Sequence, residues 1–392
     1  MKEKKREIYA DYAATSPVLS EVKKAMEPYL TDCFGNPSSL HSQGQAARCA
    51  VEKGRQQAAS LVGAEAEEIF FTSCGTESSN WAIKGTAFAE LARGGSRRRI
   101  LVSAIEHPSV LAACDSLIDF GFSVERIPVG GNGVISLESL SQMIGDDCVL
   151  AAVMHANNET GVIQPVEECA RIAHESGALF LTDAVQTVGH IPVDVKEIGC
   201  DFLSFSGHKF GAPKGIGGLY VRKECTLPPL IHGGGQEKGS RSGTENVPYI
   251  VGLGEACRLA EERLESDAIM KTESVRDWLE AHLVSSPGGK VIGRDAPRLS
   301  GITNISFEGI FGENLMLMCD LYGLRISTGS ACSMGKGDDI SHVLRAMKLS
   351  ESAAAGSVRI SLGTDTTMSD AEQIYLIIED CVRKIRGASA AK

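Results

Sequence analysis

Residues 201–221, DFLSFSGHKFGAPKGIGGLYV, constrain this chain more than any other stretch. Phe202, Leu203 and Phe205 open it as the apolar run of a buried strand. Ser206, Gly207, His208 and Lys209 follow, and Gly211, Pro213, Gly215, Gly217 and Gly218 then break the regular structure. A lysine carried from the end of a buried strand into a glycine-rich turn sits where α/β proteins hold ligands. Desolvation there disfavours the charged amine and lowers its pKa, and only the free base attacks a carbonyl carbon. A surface lysine in a turn is the other reading of this stretch taken alone. The rest of the chain decides between them.

Upstream, strand, small turn and helix recur. EEIFFTS reads as a strand, and Cys74, Gly75 and Thr76 at once open a helix through Trp81 and Ile83. RILVS precedes a helix from about Pro108, FSVERIPV is strand-like, and CVLAAVMH runs into Asn157, Asn158, Glu159, Thr160 and Gly161. A helix from about Pro165 leads to ALFLTDA, a further buried strand ending at Asp183. Apolar strands alternating with helices predict an α/β fold with a mostly parallel sheet covered on both faces. Nearer the start, Ser16 and Pro17 read as a cap and first turn ahead of Val18, Val22, Met26, Tyr29 and Leu30 at helical spacing. FGNPSSLH is a turn cluster, because the Asn36–Pro37 step disfavours helix, and a helix is expected over about 43–62.

Beyond Tyr220 the pattern changes. Residues 231–246, IHGGGQEKGSRSGTEN, form a long polar connection, and loops of that length are usually functional. One long helix is expected over about 247–283 as a bridge between domains. The remainder interleaves the strands GITNISF, LRISTGSA and SVRISLG with helices, as a compact α+β unit. The last helix carries a capping-box pattern, Ser369 with Glu372, and aligns Ile374, Ile378, Val382 and Ile385 on one face.

Length and charge narrow the function. At 392 residues roughly two domains are expected. A net charge of −11 argues against nucleic-acid binding, which needs a basic face. The basic residues at the start have no apolar run behind them, so no secretory signal is expected, and no stretch nears the ~18 consecutive apolar residues of a membrane span. The 12 cysteines are scattered with no C-x-x-C pair, which predicts reduced thiols in a cytosolic protein rather than disulfides or a metal site.

The chemistry-bearing pieces lie in a telling order. Gly75 and Thr76 at a helix start offer unpaired N–H groups to a phosphate. Asp183 at a strand end offers a carboxylate, Ser206 and His208 add side-chain donors, and Lys209 supplies an amine. These are the parts a pyridoxal phosphate site requires: a Schiff-base lysine, a carboxylate beside the pyridine nitrogen and a phosphate cradle. Singly, a strand-end Asp or a helix-start Gly-Thr is often only a cap. In this order they reinforce one another.

The sequence resembles the cysteine desulfurases of the NifS/IscS type, within the aspartate-aminotransferase fold of pyridoxal phosphate enzymes. ADYAAT, FGNPSSLH, TSCGTES, IEHPSV, ANNETGVIQP, TDAVQTVGH, SFSGHKFGAPKGIGGLYV, HGGGQEKGSRSGTEN, STGSAC and SVRISLG carry the resemblance, in family order, to about residue 363. It implies a large cofactor-binding domain over 16–246, built on a mostly parallel sheet of the seven-stranded type. Residues 1–15 and 247–392 would form a smaller α+β domain with the bridging helix.

The resemblance also implies roles. Lys209 is the Schiff-base lysine and the shuttle for the substrate's Cα proton, and Asp183 pairs the pyridine nitrogen. Asn158 and Gln186 lie near the ring's phenolic oxygen. Gly75, Thr76, Ser206 and His208 hold the phosphate, and Thr244 reaches it from the other subunit of a homodimer. His107 stacks on the ring and handles protons, although a lone histidine before proline is otherwise read as structural. Arg359 binds the substrate's α-carboxylate, a role that suits its bidentate fork; a structural salt bridge is its alternative reading. Asn36 assists, or simply shapes its turn.

Cys332 separates desulfurases from other members of the fold. It sits among Thr328, Gly329, Ser330, Ala331, Ser333, Gly335 and Gly337, a stretch that reads as mobile loop, and an accessible thiolate can attack sulfur. The implied reaction turns L-cysteine into L-alanine and leaves a persulfide on Cys332 for a sulfur-acceptor protein, in iron–sulfur cluster assembly or thiolation. No metal is implied. A selenocysteine lyase or another class V enzyme is the alternative within the fold. A non-catalytic interaction platform is a third reading, against which the intact Lys209, Asp183, His107 and Cys332 set weighs. Two features depart from the family pattern and leave the sulfur acceptor open. Asp338, Asp339 and Ile340 replace Leu-Glu-Pro before Ser341-His342-Val343-Leu344, in a stretch about one residue longer, and the chain stops at Lys392 without the tail some relatives use to dock a scaffold protein.

Overall fold

Residues 7–328 and 340–390 are described by the structure, a computed structural model. After a short strand β1 (Ile8–Tyr9), seven strands build the main sheet. They are β2 (Ile69–Thr72), β3 (Arg99–Ser103), β4 (Ser123–Ile127), β5 (Cys148–Ala152), β6 (Leu179–Asp183), β7 (Phe202–Ser206) and β8 (Gly217–Val221). Across the sheet their order is β2-β8-β7-β6-β5-β3-β4. Only β8 is antiparallel to its neighbours, so the other six strands share one direction and deliver their carboxyl ends to one edge. Every position of β5, β7 and β8 is buried. Helices cover both faces, which is why these strands read as unbroken apolar runs rather than as alternation.

One face of the sheet packs Phe180, Leu203 and Phe205 with Val22, Val51 and Leu253 from covering helices; the other packs Ile100, Phe202 and Leu219 with Trp81 and Val110. A separate core lies around a three-stranded antiparallel sheet of β9 (Lys290–Val291), β10 (Ile302–Ser306) and β12 (Ser357–Ser361), ordered β12-β10-β9. β11 (Leu324–Arg325) pairs in parallel with β1, which brings that first strand to this second unit. The final helix, Met368–Ala390, buries Ile374, Ile378 and Val382 there, on the face its spacing predicts.

Three local expectations fail, each for a physical reason. The first long helix starts at Ser20, not near Pro17, because Ser16 donates through both N and Oγ to the His208 carbonyl, at 2.8 and 2.9 Å. The expected helix over 247–283 is two, Val247–Leu264 and Ala268–Ser285, since Ser266 Oγ donates back to Arg263 O and accepts from Ala268 N. Such local bonds compete with helix. The last helix is capped by Thr367 with Asp370, not by Ser369 with Glu372: Thr367 N reaches Asp370 Oδ2 at 2.9 Å and Asp370 N reaches Thr367 Oγ1 at 3.2 Å. Where the second domain is expected to begin, the Val247–Leu264 helix buries Ile250, Leu253 and Cys257 in the first core.

Candidate active site

The carboxyl ends of β2, β3, β5, β6 and β7 open onto a cavity of about 320 Å³. Gly75, Thr76, His107, Asn158, Asp183, Gln186, Ser206, His208, Lys209 and Arg359 all line it, although they come from widely separated stretches of sequence. Apart from Arg359, which β12 of the smaller sheet supplies, the parallel sheet brings them together because its parallel strands exit at the same edge.

Asp183 ends β6 and is 6% exposed. Its Oδ1 accepts from Val185 N at 2.9 Å. Burial raises its pKa to about 6, against the pull of that bond and of the Lys209 charge. Lys209 closes a single 3₁₀ turn after β7, and its Nζ donates to the carbonyls of Ala13 and Ala14 at 2.6 and 3.0 Å. Gly211, with φ +105°, turns the chain away immediately afterwards, a conformation that L side chains rarely adopt. Gln186 Nε2 donates to Ala13 O at 3.1 Å. The N-terminal segment therefore walls the cavity on the lysine side.

Beside this amine lies a cradle for an anion. The Gly75–Ala92 helix begins at the cavity, and its cap residue Cys74 makes no side-chain cap bond. Its first N–H groups thus point outward without an intrahelical partner. The buried Ser206 hydroxyl has no hydrogen-bond partner among the described residues. A Cβ on Gly75 would come within 2.6 Å of Val185 Cγ2, so a side chain there would crowd the cavity wall. His208 is held through Nδ1 to Thr15 Oγ1 at 3.1 Å, and burial, then Lys209 and Lys214, push its pKa down to about 4. Uncapped N–H groups, an orphan hydroxyl and a neutral imidazole suit a phosphate, and a buried carboxylate suits a protonated ring nitrogen. These residues fit pyridoxal phosphate.

His107 caps the Pro108–Asp115 helix: its Nδ1 accepts from Ser109 N at 3.1 Å. The neutral ring therefore carries its proton on Nε2, and burial, then Lys209 and His342, lowers its pKa to about 4. Arg359, 5% exposed on β12, donates from Nη1 to Asn158 O at 2.8 Å and from Nη2 to Asp11 Oδ1 at 2.7 Å. Its buried Nε has no partner among the described residues. Arg359 thus makes a salt bridge to Asp11, and its Nε–H is left over.

Two expected residues lie elsewhere. Asn36 is exposed, and its Oδ1 accepts from Ser38 N at 2.9 Å. Thr244 is exposed in the polar loop. Neither lines this cavity within one chain. Cys332 lies outside the described residues. Sequence reasoning missed Asp11, the partner of Arg359, although it stands in the quoted ADYAAT stretch. It also missed Glu106, fully buried next to His107, with Oε1 accepting from Met154 N. Burial, then Asp183, raises the Glu106 pKa well above its ordinary value. A carboxylate between Ile105 and a histidine is the only signal that marks it in sequence.

The chain matches the family described as Aminotransferase class-V over residues 8–374. It is 44% identical over 384 residues to the cysteine desulfurase IscS of Methanosarcina thermophila, covering 97% of this chain and 93% of that protein. It belongs to the cysteine desulfurases of the class V aminotransferase family. This desulfurase is also 42% identical over 385 residues to the cysteine desulfurase NifS of Azotobacter vinelandii, covering 98% and 94% of the two chains. Among solved structures, a NifS-like protein superposes with a TM-score of 0.89 at 38% identity, covering 96% of this chain and all of that one. A structure of SspA in complex with cysteine gives 0.80 at 37% identity, covering 91% and 99%.

Proposed function

We propose that the enzyme takes L-cysteine to L-alanine with pyridoxal 5'-phosphate, and passes the sulfur to Cys332 for delivery to an acceptor protein. The observation that carries this reading is the meeting, in one cavity, of Lys209, the buried Asp183, the uncapped helix start at Gly75 and the orphan Ser206 hydroxyl. Gly75, Thr76, Ser206 and His208 would hold the phosphate, Asp183 the ring nitrogen, and Asn158 and Gln186 the phenolic side. When bound, the cofactor supplies an electron sink for negative charge developing at the substrate's Cα.

The chain's own residues do the rest. Arg359 receives the substrate carboxylate, with its spare Nε toward that task and Asn36 assisting. Lys209 Nζ carries the Cα proton, and His107 holds a proton at Nε2. Cys332 attacks the substrate sulfur: a sulfur–sulfur bond forms, the Cβ–sulfur bond breaks, and its electron pair stays on carbon, which is protonated to alanine. Cysteine and one thiol thus become alanine and one persulfide, with no outside oxidant. We place the enzyme in the cytoplasm as a homodimer, with Thr244 reaching the partner's phosphate. Among the described residues no helix is long and apolar enough to cross a membrane, and no cluster suits a metal.

Purified protein should absorb in the visible and bleach with borohydride, and should release alanine from L-cysteine. Cys332→Ala should keep the colour and lose sulfide production. Full activity in that variant would remove Cys332 from the reaction.

A further inference from the structure

A second cavity, of about 190 Å³, lies against the first and takes no part in the chemistry above. Ala13, Gln186 and Lys209 line both, and the bonds from Lys209 Nζ and Gln186 Nε2 to the Ala13 carbonyl run between them. The second cavity sits where the two cores meet: Phe210, packed in the first, and Leu362, packed in the second, both line it. Leu19, Leu299 and Ile302 extend a mostly apolar wall. A concave, largely apolar site at a domain junction, with a few polar groups, is the usual form of a small-molecule site.

Arg263 is the polar group that needs an explanation. It stands in the last turn of the Val247–Leu264 helix and lines this cavity, half-buried. Its guanidinium makes no hydrogen bond or ion pair with any of the described residues. Burial lowers its pKa, and the Asp365 charge opposes this without closing to an ion pair. A cation in a last turn offsets the helix dipole, but a side chain in open water would do the same and keep its hydration. Partly stripped of water at an apolar wall, a fork of five N–H donors is stabilised by an acceptor.

The neighbouring groups set the charge of that acceptor. His190 lines the cavity too, and burial, then Arg263, pushes its pKa down to about 4, so its ring is neutral at physiological pH. Lys209 directs its Nζ at the carbonyls of Ala13 and Ala14. Asp365 is exposed, lines the cavity and accepts from Tyr12 Oη at 2.9 Å. One negative charge is therefore drawn to Arg263, and a second would meet Asp365.

We propose that this cavity binds a small monocarboxylate with a short apolar body, its carboxylate on Arg263 and its body against Phe210, Leu299, Ile302 and Leu362. A guanidinium matches a carboxylate in two parallel hydrogen bonds. The ligand shares a wall with the catalytic cavity without entering it. Arg359, the carboxylate-binding group proposed there, does not line this one.

The test is fluorine NMR on the holoenzyme, with trifluorobutyrate as the probe at neutral pH. Line broadening should saturate on wild type, and Arg263→Gln should weaken binding at least about tenfold, as loss of a charge-assisted hydrogen bond does. Trifluorobutanol, which keeps the body and lacks the charge, should bind more weakly than the acid by a similar factor. Succinate, whose second carboxylate meets Asp365, should displace the probe less well than butyrate does. No saturable binding to wild type, or equal affinity for the acid and the alcohol, would overturn the proposal. Undiminished binding in Arg263→Gln would assign the probe to the Arg359 cavity and overturn it as well. Equal displacement by succinate and butyrate overturns the single-charge assignment. Thermal melting checks that Arg263→Gln is folded. Should it not be, Arg263→Lys reads the same point, because an ammonium lacks the fork; affinity should fall there too, and unchanged affinity counts against the site.

Discussion

The strand-end residues and the loop residues of this site behave differently. Asp183, Ser206 and Lys209 leave strands buried on both faces and reach the cavity within one chain. Asn36 and Thr244 sit exposed on polar turns and do not. Yet the loop that bears Thr244 is firmly held: Glu237 is 7% exposed and accepts from Arg55 at 2.9 and 2.7 Å and from Phe71 N at 2.9 Å. A buried ion pair inside an otherwise polar connection fixes the path of the loop while leaving its tip outward. Sheet ends come with their geometry set by the core; loop tips complete a site only through whatever meets them.

The sharpest way to break this contrast is Lys209→Ala. Alanine release should fall by about 10³–10⁴-fold or more, since a positioned proton carrier contributes up to that, and the colour that borohydride bleaches should be lost. Retained turnover would sever the strand end from the chemistry. Next comes Asp183→Asn, expected to cost on the order of 10²-fold in kcat, as lost electrostatic stabilisation does. In cofactor-free protein the sign reverses. The Asp183 carboxyl titrates near 3.8 unfolded and about 6 folded, so the native state holds its proton longer. Stability at this site is therefore present below about pH 4 and is lost as pH rises to 6 and beyond. Thermal melting of Asp183→Asn without cofactor should exceed wild type at pH 8, by at most about 3 kcal/mol, and match it near pH 4. Equal melting at both values would mean the carboxylate is not held in an apolar setting.

On the loop side, Glu237→Ala leaves the buried Arg55 with only Glu52 and the Ile69 carbonyl as partners and should destabilise by up to about 3–5 kcal/mol in denaturant titrations. A loss under ~1 kcal/mol, as for exposed pairs, would show the loop to be loosely held. Thr244→Ala should weaken cofactor affinity by the worth of one hydrogen bond, about 1 kcal/mol, and only in the dimer. Equilibrium dialysis alongside sedimentation checks this, and a fully loaded monomer would sink the shared-site reading. The smallest effect is expected from Asn36→Ala, a modest rise in KM for L-cysteine with kcat intact.

Much of the site was legible because its logic is local. A buried strand ending in Ser-Gly-His-Lys, a strand ending in Asp and a helix opening on Gly-Thr each declare themselves within a few residues. Asp11 and Glu106 were not legible, because a carboxylate's burial depends on what packs around it. The same holds for the failed cap at Ser16: its pattern is that of a helix start, but the His208 carbonyl claims both of its donors.

By itself, then, the sequence determined the alternation of strands and helices, the main sheet's buried strands and the set of groups able to hold a carbonyl cofactor. Those follow from periodicity and backbone chemistry, which act over a handful of residues. Only the tertiary structure decided that Arg359 shares its fork between Asp11 and Asn158, and that Arg263 lines the junction of the two cores. Hydrogen bonds and buried charge depend on distances between groups hundreds of positions apart, and folding alone sets those distances.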